Sequence, residues 1–131
     1  RFLLHLAISQ DETGLAQMAK MASDWGQPHL EVLIGKAAAE RGLILPKAYY
    51  PVPAMVPDGL SVSRALALAI ARRESEFDPG ARSPADARGL MQVLPGTAKL
   101  MATRLGKPFD AGKLIGDPAY NVAMGAAYLA Q

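Results

Sequence analysis

Between positions 46 and 59 the chain carries Pro46, Pro51, Pro53, Pro57 and Gly59, and no continuous helix can run through that stretch. On either side the pattern is helical nearly throughout. The proline-rich segment therefore has to join two helical bodies, and the sequence places the boundary at its end, giving regions 1–58 and 59–131. Tyr49-Tyr50-Pro51, in its middle, reads as the anchor of an extended connector on the core.

Ahead of the break, Leu15, Met18, Ala19, Ala22 and Trp25, with Met21 beside them, follow the i, i+3, i+4, i+7 rule until Gly26 ends the run. Pro28 suits the first position of a second helix, whose apolar face is Leu30, Leu33, Ile34, Ala37 and Ala38 and whose stop is Gly42. So short a Gly-x-Pro link predicts an antiparallel pair, with Met18 and Met21 in its core. The opening Phe2-Leu3-Leu4-His5-Leu6-Ala7-Ile8 looks like a signal h-region, but it contains a His and has no A-x-A-type cleavage site. It reads as the stub of a truncated helix.

Beyond the break, Ser61 is the expected cap of a helix over 62–75. Its stretch from Ala65 to Ala71 is apolar on every side, which predicts burial all round. Pro79, Gly80, Pro84 and Gly89 make 77–88 a structured loop. Pro95 and Gly106 bracket another helix, and Asp117-Pro118 opens the last one. No strand alternation stands out. The fold class is all-α.

Half of the 131 residues are hydrophobic and a fifth are charged, enough for a core and against disorder. With no Cys there is neither a disulfide framework nor a thiolate metal site, and His5 and His29 offer no ligand spacing. No metal or cofactor is expected, and no run is long enough for a transmembrane helix. The net charge of +2 is uneven: residues 1–60 hold five Lys/Arg against six Asp/Glu, residues 61–131 nine against six. Nothing in it forms the basic stripe of a nucleic-acid binder.

The chemistry concentrates at Glu74. It sits near a helix C-terminus, where the negative end of the macrodipole favours the protonated acid. Burial behind an apolar helix would act in the same direction, whereas Arg72 and Arg73 favour the anion. Its surroundings are specific. Arg72-Arg73-Glu74-Ser75-Glu76-Phe77-Asp78-Pro79 precedes Ser83-Pro84 and then Gly89-Leu90-Met91-Gln92-Val93-Leu94-Pro95-Gly96-Thr97-Ala98. These segments resemble the catalytic domain of the soluble lytic transglycosylases, which cleave the glycan of bacterial peptidoglycan. Asp117-Pro118, Asn121, Gly125 and Tyr128-Leu129 resemble the helix that follows, and the helical pairs and connector before it resemble the family's superhelical linker.

The resemblance implies a lysozyme-like helical domain after 58, acting on glycan strands in the bacterial envelope, most naturally the periplasm. It implies that Glu74 is the single acid/base, first protonating the glycosidic oxygen and then deprotonating the muramyl C6 hydroxyl, which closes a 1,6-anhydro ring. Ordinary glycosidases need two carboxylates. Asp86, in the loop, is the alternative partner for a hydrolytic route, and a glycan-binding scaffold without cleavage is the other alternative. Ser75 is expected to bond Glu74 or substrate, or else to cap the helix end, and Gln92 to grip an N-acetyl group. Gly89 allows close backbone approach, Met91 packs behind the site, Tyr128 packs, and Ser75, Gly89, Met91, Gln92 and Tyr120 are the substrate-binding candidates. The family's domain continues into an Ala-Tyr-Asn-Ala-Gly segment, and the chain stops at Gln131 before any such run. A cleft missing one wall is the expectation that follows.

Overall fold

The computed structural model describes residues 2–131, and among them the only regular elements are helices. The chain divides into two compact units, Arg1–Pro53 and Ala54–Gln131, so the break falls inside the proline-rich segment, ahead of the 58/59 boundary.

The first unit holds α1 (Phe2–Ser9), α2 (Glu12–Asp24), α3 (Pro28–Glu40) and the short α4 (Pro46–Tyr49). Asp11 caps α2 by accepting from the Gly14 N–H at 2.8 Å, and Gly26 at φ 62° makes the turn that a side chain resists. Pro28 then opens α3 as the first-turn proline should. Ala7, Leu15, Ala19, Ala22, Ile34, Ala38 and Ala48 form the core, with Met18 and Leu30 packed against it. Trp25 and Met21 do not belong to it: both are exposed, because Trp25 has already left the helix as its C-cap and Met21 lies off the Leu15–Ala19–Ala22 stripe. Gly35 lets α4 lie directly on α3, since a Cβ there would come within 2.7 Å of the Ala48 carbonyl carbon and the Tyr49 nitrogen. Of the Tyr-Tyr-Pro anchor, Pro51 is buried while Tyr50 is exposed, its ring edge-on to Tyr49 with centroids 4.8 Å apart.

The second unit holds α5 (Arg64–Ser75), α6 (Pro95–Arg104), the short α7 (Lys113–Gly116) and α8 (Pro118–Leu129). Ser63, rather than Ser61, caps α5, its hydroxyl accepting from the Leu66 N–H at 3.2 Å. Nor is α5 buried all round. Ala67, Ala71 and Ser75, spaced four apart, face inward, whereas Ala65, Leu66 and Ala69 are exposed. A helix rich in alanine carries little directional hydrophobicity, so packing on one side is enough to hold it. Asp117 caps α8 through the Tyr120 N–H at 3.1 Å, with Pro118 in the first turn. α8 packs on α5, α6 and α7 and buries Asn121, Val122, Met124, Gly125 and Ala126. Phe77, Leu90, Met101 and Leu114 complete this core.

Candidate active site

The last turn of α5 is set by a reversal. Glu76, the C-cap, lies at φ 53° and Phe77 at φ 61°, both left-handed. Each such non-glycine residue costs on the order of 1 kcal/mol. Phe77 is 1% exposed, and burying its ring contributes roughly 1.5–3 kcal/mol, which offsets the strain. Glu74 is left on the outside of the turn, exposed, with no hydrogen bond or ion pair to any described residue. The burial expected of Glu74 behind an apolar helix is therefore not found.

Ser75 points the other way. Its hydroxyl lies 2.8 Å from the Leu90 carbonyl oxygen and 3.0 Å from that of Ala71, one proton serving both. It thus fastens the turn that carries Glu74 to the segment 89–93. That segment is folded back on the loop before it through isolated antiparallel bridges, Arg82 with Arg88 and Arg88 with Val93. Gly89, at φ 71°, presses on the Leu114 carbonyl and the Asn121 side chain so closely that no Cβ fits. Asn121 is fully buried and satisfied: its Oδ1 accepts from the Met91 N–H at 2.9 Å, and its Nδ2 donates to the carbonyls of Arg88 at 2.6 Å and Leu114 at 3.0 Å. Gln92 adopts φ 50° and donates its amide to the carbonyls of Gly89 at 2.9 Å and Ala81 at 3.1 Å.

These contacts shape a cleft of about 350 Å³. Ile70 and Glu74 of α5 form one side, Met91, Gln92, Val93 and Leu94 the floor, and Thr97 of α6 with Gly125, Tyr128 and Leu129 of α8 the other side. Glu74 is the one carboxylate in that lining. α8 meets the floor closely, for a Cβ on Gly125 would stand 2.7 Å from the Met91 sulfur.

Of the residues singled out in the sequence, Glu74, Met91 and Gln92 share the cleft, while Ser75 and Gly89 stand behind it as supports. Tyr120 lies outside the lining. Its hydroxyl accepts from the Asp110 N–H and donates to the Pro108 carbonyl, both at 3.2 Å, and Lys113 sits over its ring at 6.0 Å. Tyr128 is not packed away: it is 55% exposed and borders the cleft. Asp86 is not in the lining either. Its carboxylate accepts from Arg88 Nε at 3.0 Å and Nη2 at 2.9 Å and from Arg82 Nε at 2.7 Å. The Arg88 hydrogen bond first, and then Arg82, hold it below the ordinary carboxylate range, which makes it a weak base. Sequence reasoning missed Ile70, Thr97 and Leu129. Ile70 stands four residues before Glu74, so helical spacing alone would have placed it beside the acid.

The model of the transglycosylase SLT domain family matches residues 58–131. A putative soluble lytic murein transglycosylase of Haemophilus influenzae is 40% identical over 97 residues, 74% of this chain and 16% of that protein. The soluble lytic murein transglycosylase of Escherichia coli K12 is 33% identical over 130 residues, 95% of this chain and 20% of that protein. The crystal structure of the 70 kDa soluble lytic transglycosylase from Escherichia coli superposes with a TM-score of 0.79 at 30% identity, over 97% of this chain and 21% of that one. This chain thus spans a small part of each relative's length.

Proposed function

The chain belongs to the transglycosylase SLT domain family, and from that premise we propose that it serves as a lytic transglycosylase, cutting the β-1,4 bond between N-acetylmuramic acid and N-acetylglucosamine in peptidoglycan. The observation that carries this reading is the solitary carboxylate: Glu74 alone lines the cleft, while Asp86 is held as an anion by two arginines elsewhere. A glycosidase of the usual kind needs two carboxyl groups astride the bond. A single group suffices when the second nucleophile belongs to the substrate.

In the first step protonated Glu74 gives its proton to the glycosidic oxygen; the C1–O bond breaks and N-acetylglucosamine leaves with a hydroxyl. The cationic C1 is stabilised by the substrate's own 2-acetamido group. Glu74, now a carboxylate, takes the proton of the muramyl C6 hydroxyl, and O6 bonds to C1. The acid is regenerated and no water is consumed. Glu74 is placed for both proton transfers because it stands in the cleft lining with its side chain exposed toward the bound glycan. Gln92 and Met91 are assigned to sugar contact at the floor. Ser75 and Gly89 position the floor against α5, and Tyr120 holds the 108–110 turn. The reading implies work in the cell envelope, in the periplasm, with glycan strands as the partner.

The test is mass spectrometry of the glycan fragments released from peptidoglycan by this chain and by a version extended past Gln131, each beside its Glu74→Gln variant. Products one water lighter than those of a lysozyme, lost on Glu74→Gln, are expected. Ordinary reducing-end products would instead mean that a water is the nucleophile. Binding of glycan without cleavage by either length would make the domain a scaffold.

A further inference from the structure

We propose that the cavity between α2, α3 and α4 of the first unit binds a zwitterionic amino acid or short peptide, its ammonium on Glu31 and its carboxylate on Lys47. The proposal does not depend on the role given to Glu74.

The cavity measures about 660 Å³, inside the range of small-molecule sites. Its walls are apolar over Ala16, Ala19, Leu45 and Ala48. Glu31 breaks that pattern. It is 8% exposed, lines the cavity, and its carboxylate makes no hydrogen bond or ion pair with any described residue. The residue as a whole is mostly buried while its unpartnered carboxylate stays open to the cavity, and partial burial pushes its pKa up from the ordinary 4.5. The inner face of α3 gives no structural reason for it, since Val32, Ile34 and Ala38 do the packing. What the position supplies is an acceptor turned toward open volume.

The charges around the cavity narrow the ligand. Lys20 and Asp24 neutralise each other at 2.6 Å, four residues apart on α2. Lys47, on α4, is exposed and paired with nothing among the described residues. One negative group inside and one positive group on α4 remain. A phosphate or other simple anion would meet Glu31. A bare divalent cation would find too few donors, for the described residues hold no group of three His, Cys, Asp or Glu fit to ligate one. A molecule with an ammonium at one end, a carboxylate at the other and a short apolar body answers every feature.

The experiment is an NMR titration of the ¹⁵N-labelled chain with alanyl-alanine, N-acetyl-alanyl-alanine and alanyl-alanine amide. Saturable shifts at Ala16, Ala19, Glu31 and Ala48 are expected with the free dipeptide. Acetylating its amine, or Glu31→Gln, should weaken binding about tenfold or more, the value of one charge-assisted hydrogen bond. Lys47→Ala should weaken the dipeptide but leave its amide unaffected. Should Glu31→Gln fail to fold, the acetylated probe and Lys47→Ala, a surface change, decide the matter. Absence of saturable shifts, or equal binding of the acetylated dipeptide, would overturn the proposal. So would a Glu31→Gln protein that folds and binds undiminished.

Discussion

Replacing Asn121 by Ala tests whether the cleft floor is held from behind. The side chain satisfies three backbone groups. The Arg88 carbonyl also accepts from the Val93 N–H at 3.0 Å, so it keeps a partner. The Met91 N–H and the Leu114 carbonyl have no such second bond and become orphans. At roughly 1–3 kcal/mol for each buried unsatisfied group, the loss is about 2–6 kcal/mol, and a water entering the vacated space brings it toward the lower end of that range. Against a total of about 5–15 kcal/mol for a domain this is large. Urea unfolding followed by far-UV circular dichroism should show the 54–131 transition moved to lower denaturant with an unchanged slope. The Met91 amide, the one N–H that loses its acceptor, should exchange faster than in the native chain in hydrogen-exchange measurements. Tryptophan emission is the internal control, because the single Trp25 lies in the other unit. A shift under about 0.5 kcal/mol, as for an ordinary surface change, with the Met91 amide still protected, would refute the reasoning.

Glu74→Gln should lower turnover by about 10³-fold or more, in line with loss of an acid/base group, while leaving stability within about 0.5 kcal/mol, since the side chain is exposed and unpartnered; product release and a melting curve check the two halves. Gly125→Val pushes against the Met91 sulfur and should cost about 1–3 kcal/mol and raise KM for glycan, read from urea melts and turnover curves. The depressed pKa of Asp86 stabilises the fold above the unfolded carboxylate value, and this is lost as pH falls through the folded one. Asp86→Asn should flatten that acid limb of the stability curve and leave the anhydro product unchanged; a switch to reducing-end products would contradict the assignment. The raised pKa of Glu31 has the opposite sign: its contribution is full below about 4.5 and lost as pH rises through the folded value. Glu31→Gln should therefore melt higher than the native chain at neutral pH, measured by thermal scans across pH.

The helices were legible where a residue acts alone. Pro28, Pro95 and Asp117-Pro118 mark their helix starts because a missing N–H or a capping oxygen decides the local conformation without help from the core. Ser61-Val62-Ser63 offers two equivalent caps, and sequence cannot choose between them. The short α4 and α7 went unseen, as four residues carry no period. Within the site, Glu74 and the Met91-Gln92 floor were legible through contiguous motifs. Thr97 and the exposed role of Tyr128 were not, because they face the cleft only once α5, α6 and α8 have packed. Ser75 was placed near the chemistry, but its partner, the Leu90 carbonyl, is a backbone atom fifteen residues on and leaves no trace in side-chain pattern.

The floor beneath Glu74 is held by the side chains of Ser75, Asn121 and Gln92, which bond to the backbone of Leu90, Met91 and Gly89, and none of these bonds has to be recruited by a ligand. For inhibitor design this makes the cleft a preorganised target. A rigid fragment shaped to the floor avoids the cost of ordering those three side chains on binding. Discrimination between related sites then falls to the rim, where Thr97 and Tyr128 stand.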